Sequence, residues 1–190
     1  MAVETIFLGG GCFWCLEAVY QRIKGVALVQ SGYMGGQMVR PDYASVCEKK
    51  TGHAEVVRVD FDNSQVSCGD LLEVFFTIHD PTTPNRQGND VGPQYRSIIF
   101  ATSDAQLGLA RSRIAHYTQT RRWDAPIVTE LRQVSADQWQ GKTAEVQETF
   151  WPAEEYHRDY FRRNPTQGYC LFVVNPKVIK AESSFTALMR

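Results

Sequence analysis

Long apolar runs, an excess of one charge and internal repeats are all missing from this sequence, and each absence removes a class of function. No stretch approaches the ~20 apolar residues that a membrane-spanning helix needs. The formal net charge of −1 over 190 residues supplies no general attraction for nucleic-acid phosphates or anionic lipid. The basic pairs Arg121-Arg122 and Arg162-Arg163 read as solvated helix ends. No heptad array, low-complexity segment or fixed-period repeat is visible. Histidine is scarce: His53, His79, His116 and His157 are dispersed, and there is no second Cys-x-x-Cys. A structural zinc domain would therefore lack two ligands, and no metal is expected. Met1-Ala2-Val3-Glu4 does not lead from a basic segment into an apolar one, so no targeting leader is expected.

Five cysteines, at 12, 15, 47, 68 and 170, are an odd number in a chain long enough to bury a core without disulfide staples. That points to a reducing compartment. We therefore expect a cytoplasmic monomer in which residues 1–190 form one catalytic domain, with no nucleic-acid or membrane partner. Cys47 and Cys68 have no companion at motif spacing and read as inert thiols.

Cys12 is different. It follows Gly9-Gly10-Gly11 and precedes Phe13-Trp14-Cys15-Leu16-Glu17, at the junction of an alternating strand-like run (Val3–Leu8) and a helical one in which Phe13, Leu16, Val19, Tyr20 and Ile23 keep one face. Unpaired N–H groups and the positive end of the dipole at a helix start favour thiolate over thiol, so the spacing predicts an acidified, reactive Cys12. The glycines would let another molecule approach the backbone closely. Cys15, three residues on, completes a Cys-x-x-Cys pair, which also suits a thioredoxin-type dithiol oxidoreductase.

Further along, Val26–Ser31 reads as a strand and His53–Phe61 as a clearer one. Leu71, Leu72, Phe75, Phe76 and His79 keep helical spacing. Ser97–Ala101 reads as a strand, and Asp104–Thr120 as a helix with Ser103 as N-cap. Ile127–Val134 is one more expected strand and Pro152–Arg163 an expected helix; the apolar Cys170–Val174 is of no decided type. The order β-α-β-β-α-β predicts an α/β fold: a two-layer α+β sandwich with a split-βαβ, ferredoxin-like core, helices on one face of a sheet, and added loops and C-terminal segment. The loop from Asp80 to Arg96 is long and rich in turn formers, the mark of a functional loop.

Glu55 shares a strand face with Val57, Val59 and Phe61. If drawn into the core it would lose hydration, its pKa would rise and it could serve as a general acid near pH 7; at the strand end it could instead turn to solvent. Tyr33, Tyr43 and Tyr95 lie in Gly- and Pro-rich stretches where a phenol could donate to a bound oxygen or simply anchor packing, and position alone does not choose among them.

Several ordered segments, from about Ile6 to beyond Cys170, then carry a resemblance: Gly11-Cys12-Phe13-Trp14, Ser31-Gly32-Tyr33-Met34-Gly35-Gly36, Pro41-Asp42-Tyr43, Thr51-Gly52-His53-Ala54-Glu55-Val56, and Arg86-Gln87-Gly88-Asn89-Asp90 with Gln94-Tyr95-Arg96-Ser97. On these the chain resembles a peptide methionine sulfoxide reductase of the A type. The resemblance implies that Cys12 attacks the sulfur of methionine-S-sulfoxide, free or in proteins, and that Glu55 protonates the oxygen. It implies Tyr43 and Tyr95 as hydrogen-bonding tyrosines, Asp90 as a polar residue of the same site, and Phe13 and Trp14 as the apolar wall for the S-methyl group. Cys12 would become a sulfenic acid, resolved by Cys15 or by Cys170, which matches a recycling cysteine of many relatives. Cys15 stands where many have glycine, and Leu171-Phe172-Val173-Val174 replaces their glycine-rich tail; both departures favour Cys15. No cofactor is implied, and thioredoxin would be the external reductant.

Overall fold

The computed structural model describes residues 3–190. Its first half runs β1 (Val3–Gly9), α1 (Phe13–Tyr20), β2 (Val26–Met34), α2 (Tyr43–Cys47), β3 (Ala54–Asp62) and α3 (Cys68–Ile78). A two-residue hairpin follows, β4 (Arg86–Gln87) with β5 (Asp90–Val91), then β6 (Ile98–Ala101) and α4 (Asp104–Gln119). The rest comprises β7 (Glu130–Gln133), α5 (Ala136–Trp139), β8 (Trp151–Pro152), α6 (Tyr160–Arg163) and α7 (Asn175–Ser184).

The main sheet has the order β7-β6-β1-β3-β2-β8. Its four inner strands are antiparallel and connected as a split βαβ, as expected; β7 adds in parallel beside β6 and β8 antiparallel beside β2. Helix starts follow local chemistry. Ser67 and Asp70 form a capping box on α3, and the Ser103 hydroxyl accepts from the Gln106 N–H at the head of α4.

The helices α1, α3 and α7 pack on one face of the sheet, where Leu8, Phe13, Leu16, Tyr20, Val57, Phe75 and Val178 are part of a continuous core. The other face is not left to solvent. Phe7, Met34, Ala54, Val56, Ile98, Phe100, Val134 and Phe150 bury a second cluster there, with Trp139 against it. The Trp139 ring meets Phe7 edge-on at 5.4 Å and lies under the Arg58 guanidinium at 4.7 Å. This cover comes from the added segments around Trp139 and Phe150, on the face that the helices of the sandwich leave open. It also explains why β1 is buried from Ile6 through Gly9 rather than alternating: a central strand with both faces covered has no outward side.

Pro152–Arg163 is not a helix. Trp151 and Pro152 instead extend the sheet edge opposite Tyr33 and Gly32, a place where proline's missing N–H is tolerated. A 3-10 turn at Glu155–His157 follows, and Asp159 then takes a left-handed φ of 53° that ends any helical run before α6. The expected strand Ile127–Val134 shortens to β7. Cys170–Val174 is a π-helical turn running directly into α7, so Cys170, Val174, Val178 and Ala181 point inward together.

Candidate active site

The strand-to-helix turn that presents Cys12 depends on its glycines, but for internal packing. Gly11 has φ +98°, and a Cβ there would come within 2.7 Å of Gln87. A Cβ on Gly10 would strike the Phe75 and His79 rings. The chain's own loop, pinned by Gln87 through both the N–H and the C=O of Asp80, is what approaches this backbone.

Cys12 is the N-cap of α1, with extended φ and ψ, and 8% exposed. Glu55, 1% exposed on β3 beside Tyr33 of β2, faces the same helix end, and its Oε2 accepts the Phe13 N–H at 3.0 Å. Burial pushes the Glu55 carboxyl up to about 8, with Asp90 adding to the rise and the Phe13 N–H opposing it. Glu55 is thus an acid that holds its proton at neutral pH, the inward alternative of the sequence reading.

The same contact overturns the expected acidity of Cys12. Burial, Glu55 and Cys15 raise its thiol well above the ordinary range, and the Trp14 N–H and the Tyr169 hydroxyl only partly oppose them. The helix start does offer donors, but the Phe13 N–H serves the Glu55 carboxyl. α1 is also only 8 residues long, and its thiol is shut away from water.

Around this pair the structure gathers most of the expected site. Tyr95, in a 3-10 turn at Pro93–Tyr95, is half-buried, and Glu55, Cys12 and Asp90 together hold its phenol protonated after burial has already raised it. Tyr43, at the start of α2, is raised by burial and Glu55, and its hydroxyl neighbours Cys47, which brings that presumed spectator to the rim of the site. Asp90, on β5, accepts the Tyr169 hydroxyl at 2.5 Å. Trp14 is partly exposed, whereas Phe13 is fully enclosed between Tyr33 (5.7 Å) and His157 (4.9 Å), so its ring buttresses the wall from behind.

Cys15, one turn along α1, is buried, and its thiol is pushed up to about 11, chiefly by burial. Cys170 is also fully buried, in the π turn, with its thiol raised by burial. All five cysteines are unpaired. Among the described residues, no group of three or more His, Cys, Asp or Glu is arranged to hold a metal ion, and no helix is long and apolar enough to cross a membrane.

Three members of the site were not found from the sequence. His157, with no exposed surface, accepts the Trp14 Nε1–H on Nδ1 at 3.0 Å and stacks between Phe13 and Tyr43. Tyr160 lies flat on Trp14, with ring centroids 3.7 Å apart. Tyr169 reaches Asp90 and both thiols of α1. Reading Pro152–Arg163 as an ordinary helix hid the first two, although the aromatic density of Trp151, Tyr156, His157 and Tyr160 was a usable signal; Tyr169 lay beside Cys170 and went unweighed. Glu154 ties this segment in, accepting from the Tyr33 hydroxyl and the Tyr43 N–H, each at 3.0 Å. The cleft of about 240 Å3 behind His157, bounded by Glu17, Val29, Ser31 and Arg158, does not include Cys12.

The family model described as peptide methionine sulfoxide reductase matches residues 4–188. The chain belongs to that family. It is 51% identical over 184 residues to peptide methionine sulfoxide reductase MsrA of Ralstonia nicotianae, covering 97% of this chain and 92% of that protein. It is 46% identical over 183 residues to the MsrA of Trichodesmium erythraeum, covering 96% of each. Among solved structures it is similar to methionine sulfoxide reductase A of Corynebacterium diphtheriae, with TM-score 0.77 and 33% identity over 90% of this chain and 78% of that one. It is also similar to reduced Mxr1 from Saccharomyces cerevisiae, with TM-score 0.74 and 32% identity over 88% and 89% of the two chains. Within this family of oxidoreductases, the fold has its natural setting.

Proposed function

We propose that this chain reduces methionine-S-sulfoxide, free or in proteins, to methionine by thiol chemistry at Cys12. The observation that carries the reading is a protonated, buried Glu55 seated at the same helix end as the thiol. A sulfoxide is a dipole with an apolar methyl on one side and a strong acceptor oxygen on the other. Trp14, backed by Phe13, reads the first, while Glu55, Tyr43 and Tyr95 donate to the second.

In the first step Cys12 sulfur attacks the sulfoxide sulfur as Glu55 passes its proton to the oxygen and takes up the one Cys12 gives away. The oxygen ends on Cys12 as a sulfenic acid; methionine sulfur gains two electrons and Cys12 loses two. With Glu55 neutral, the like charge that opposes a Cys12 thiolate is removed, so acid and nucleophile are compatible in one small volume. Asp90 orients the Tyr169 hydroxyl over the two thiols.

Cys15 then condenses with the sulfenic acid, releasing water and leaving a Cys12–Cys15 disulfide. Cys170, buried in the π turn, acts after Cys15. Thioredoxin, a dithiol partner, returns the enzyme to its starting state by exchange, without an organic cofactor. The odd number of cysteines suits a reducing cytoplasm, and the continuous main core suits a single catalytic domain.

The test is turnover of the separate S and R epimers of free methionine sulfoxide with a dithiol reductant. We expect the S epimer alone to be consumed and Cys12→Ser, still folded by circular dichroism, to consume neither. Equal use of both epimers, or full activity in folded Cys12→Ser, would remove this reading.

A further inference from the structure

Glu154 stands where the sheet edge gives way to the turn that carries His157, and it is half-buried there. Its root is fixed. Trp151 and Pro152 pair with Tyr33 and Gly32 of β2, and the Ala153 N–H donates to the Ser31 C=O at 2.9 Å. From this root the two carboxylate oxygens gather three elements. Oε1 accepts the hydroxyl of Tyr33 on β2 at 3.0 Å. Oε2 accepts the N–H of Tyr43, the first residue of α2, at 3.0 Å and the hydroxyl of Tyr156 at 3.1 Å. Tyr33 in turn lies in register with Glu55 and packs its ring against Phe13.

The same carboxylate faces His157. The Trp14 indole N–H can only donate, so His157 Nδ1 accepts it and the imidazole proton sits on Nε2. Glu154 Oε2 lies 3.9 Å from that Nε2, near enough for its charge to favour the proton there. The His157 ring is boxed by Phe13, Tyr43 and Tyr156, with centroids 4.9, 4.6 and 4.1 Å away. Turning it over would displace two of the residues that Glu154 holds.

We propose that Glu154 is a positioning residue for the sulfoxide pocket, fixing the Tyr43 phenol through the Tyr43 backbone and the Trp14 indole through His157. One carboxylate thereby sets the donor for the sulfoxide oxygen and the wall for its methyl group, and a wall or donor is only as well placed as the groups that lock it. The proposal rests on Cys12 being the thiol that reduces the sulfoxide. Hydrogen bonding, not charge alone, is what the clamp requires. Glu154→Gln can turn its carbonyl oxygen to the Tyr43 N–H and Tyr156 hydroxyl and donate its amide to the Tyr33 oxygen, whereas Glu154→Met fills the space with no oxygen acceptor.

The experiment uses full-length wild type, Glu154→Met, Glu154→Gln and Glu154→Asp, each checked for folding by circular dichroism. Two readings are taken. One is first-turnover methionine release over a range of methionine-S-sulfoxide concentrations; the other is the Trp14 indole N–H signal in an NMR spectrum without substrate, identified by its loss in Trp14→Phe. We expect Glu154→Met to lose roughly 10–100-fold in rate at saturating substrate, the effect that a displacement of about 1 Å has on a positioned group. Its Trp14 indole signal should shift and exchange with water roughly tenfold faster, because the segment holding it has loosened. Glu154→Gln should stay within about threefold of wild type in both readings, as its hydrogen bonds are replaced rather than removed. Glu154→Asp keeps the charge but reaches one methylene less far, so it should fall between; if Glu154→Met does not fold, a wild-type rate in Glu154→Asp overturns the proposal. Either reading unchanged in folded Glu154→Met, or a Glu154→Gln as impaired as Glu154→Met, also overturns it. A wild type that releases no methionine overturns the reading of Cys12 instead, while the indole signal still reports on the clamp.

Discussion

Glu55 and Val56 are adjacent on β3 and equally buried, yet they point into opposite faces of one sheet with different rules. Val56 enters an apolar cluster of Phe7, Met34, Ile98, Phe100 and Phe150. Glu55 enters a face where the start of α1 offers an N–H and where Tyr33, Tyr43, Tyr95 and Tyr169 bring hydroxyls to the rim. A carboxyl is tolerable there because it can stay protonated and keep one donor; at Val56 it would displace apolar packing among Phe7, Phe100 and Phe150. The reactive end of the molecule is thus polar and poised, and the opposite face is a packed plug that holds the strands beneath it.

The comparison breaks most visibly at Glu55. Glu55→Gln keeps the shape and a hydrogen-bond donor but cannot transfer a proton. First-turnover methionine release at neutral pH should fall by about 10²–10⁴, the usual size of general-acid assistance. An unchanged single-turnover rate would take the acid role from Glu55. On the opposite face, Phe7→Ala should cost stability, about 3–5 kcal/mol in a denaturant titration, as expected for a buried ring that leaves a cavity. The molecules that remain folded should release methionine at the wild-type rate; a change in the chemical step as large as that of Glu55→Gln would mean that the two faces are not separable.

Much of this division was visible in the residues. The strand β3 with Glu55 on its apolar face, the glycine turn before Cys12, the periodicity of α3 and the Ser103 cap are local patterns, and local patterns survive into the structure, although the strand pattern alone left open whether Glu55 turns inward or to solvent. What did not show were features decided by distant contacts. Trp139 and Phe150 cover the second face from a segment with no clear periodicity of its own. The turn carrying His157 and Tyr160 is shaped by its pairing with β2, by the backbone N–H groups of Asp159 and Tyr160 meeting buried Glu17, and by Gln21 reaching Asp159. The acidity of Cys12 was misjudged for a related reason. A helix start argues for a thiolate only while no carboxylate from another strand competes for its N–H groups, and the strand that supplies Glu55 lies about forty residues away in sequence, a separation of the kind that local propensity does not see.

The pH linkage follows from the same burial. Because folding raises the Glu55 pKa from 4.5 to about 8, its contribution to stability is fully present below pH 4.5, where the group is neutral in both states, and is lost as pH rises through 8. The acid needed for catalysis disappears over the same upper range.

Infrared difference titration of wild type against Glu55→Gln isolates the one carboxyl on which the account depends. A protonated-carboxyl band that belongs to Glu55 and titrates away with a midpoint near pH 8 is the predicted result. A band that is already gone at neutral pH, with a midpoint near the ordinary 4.5, would contradict it.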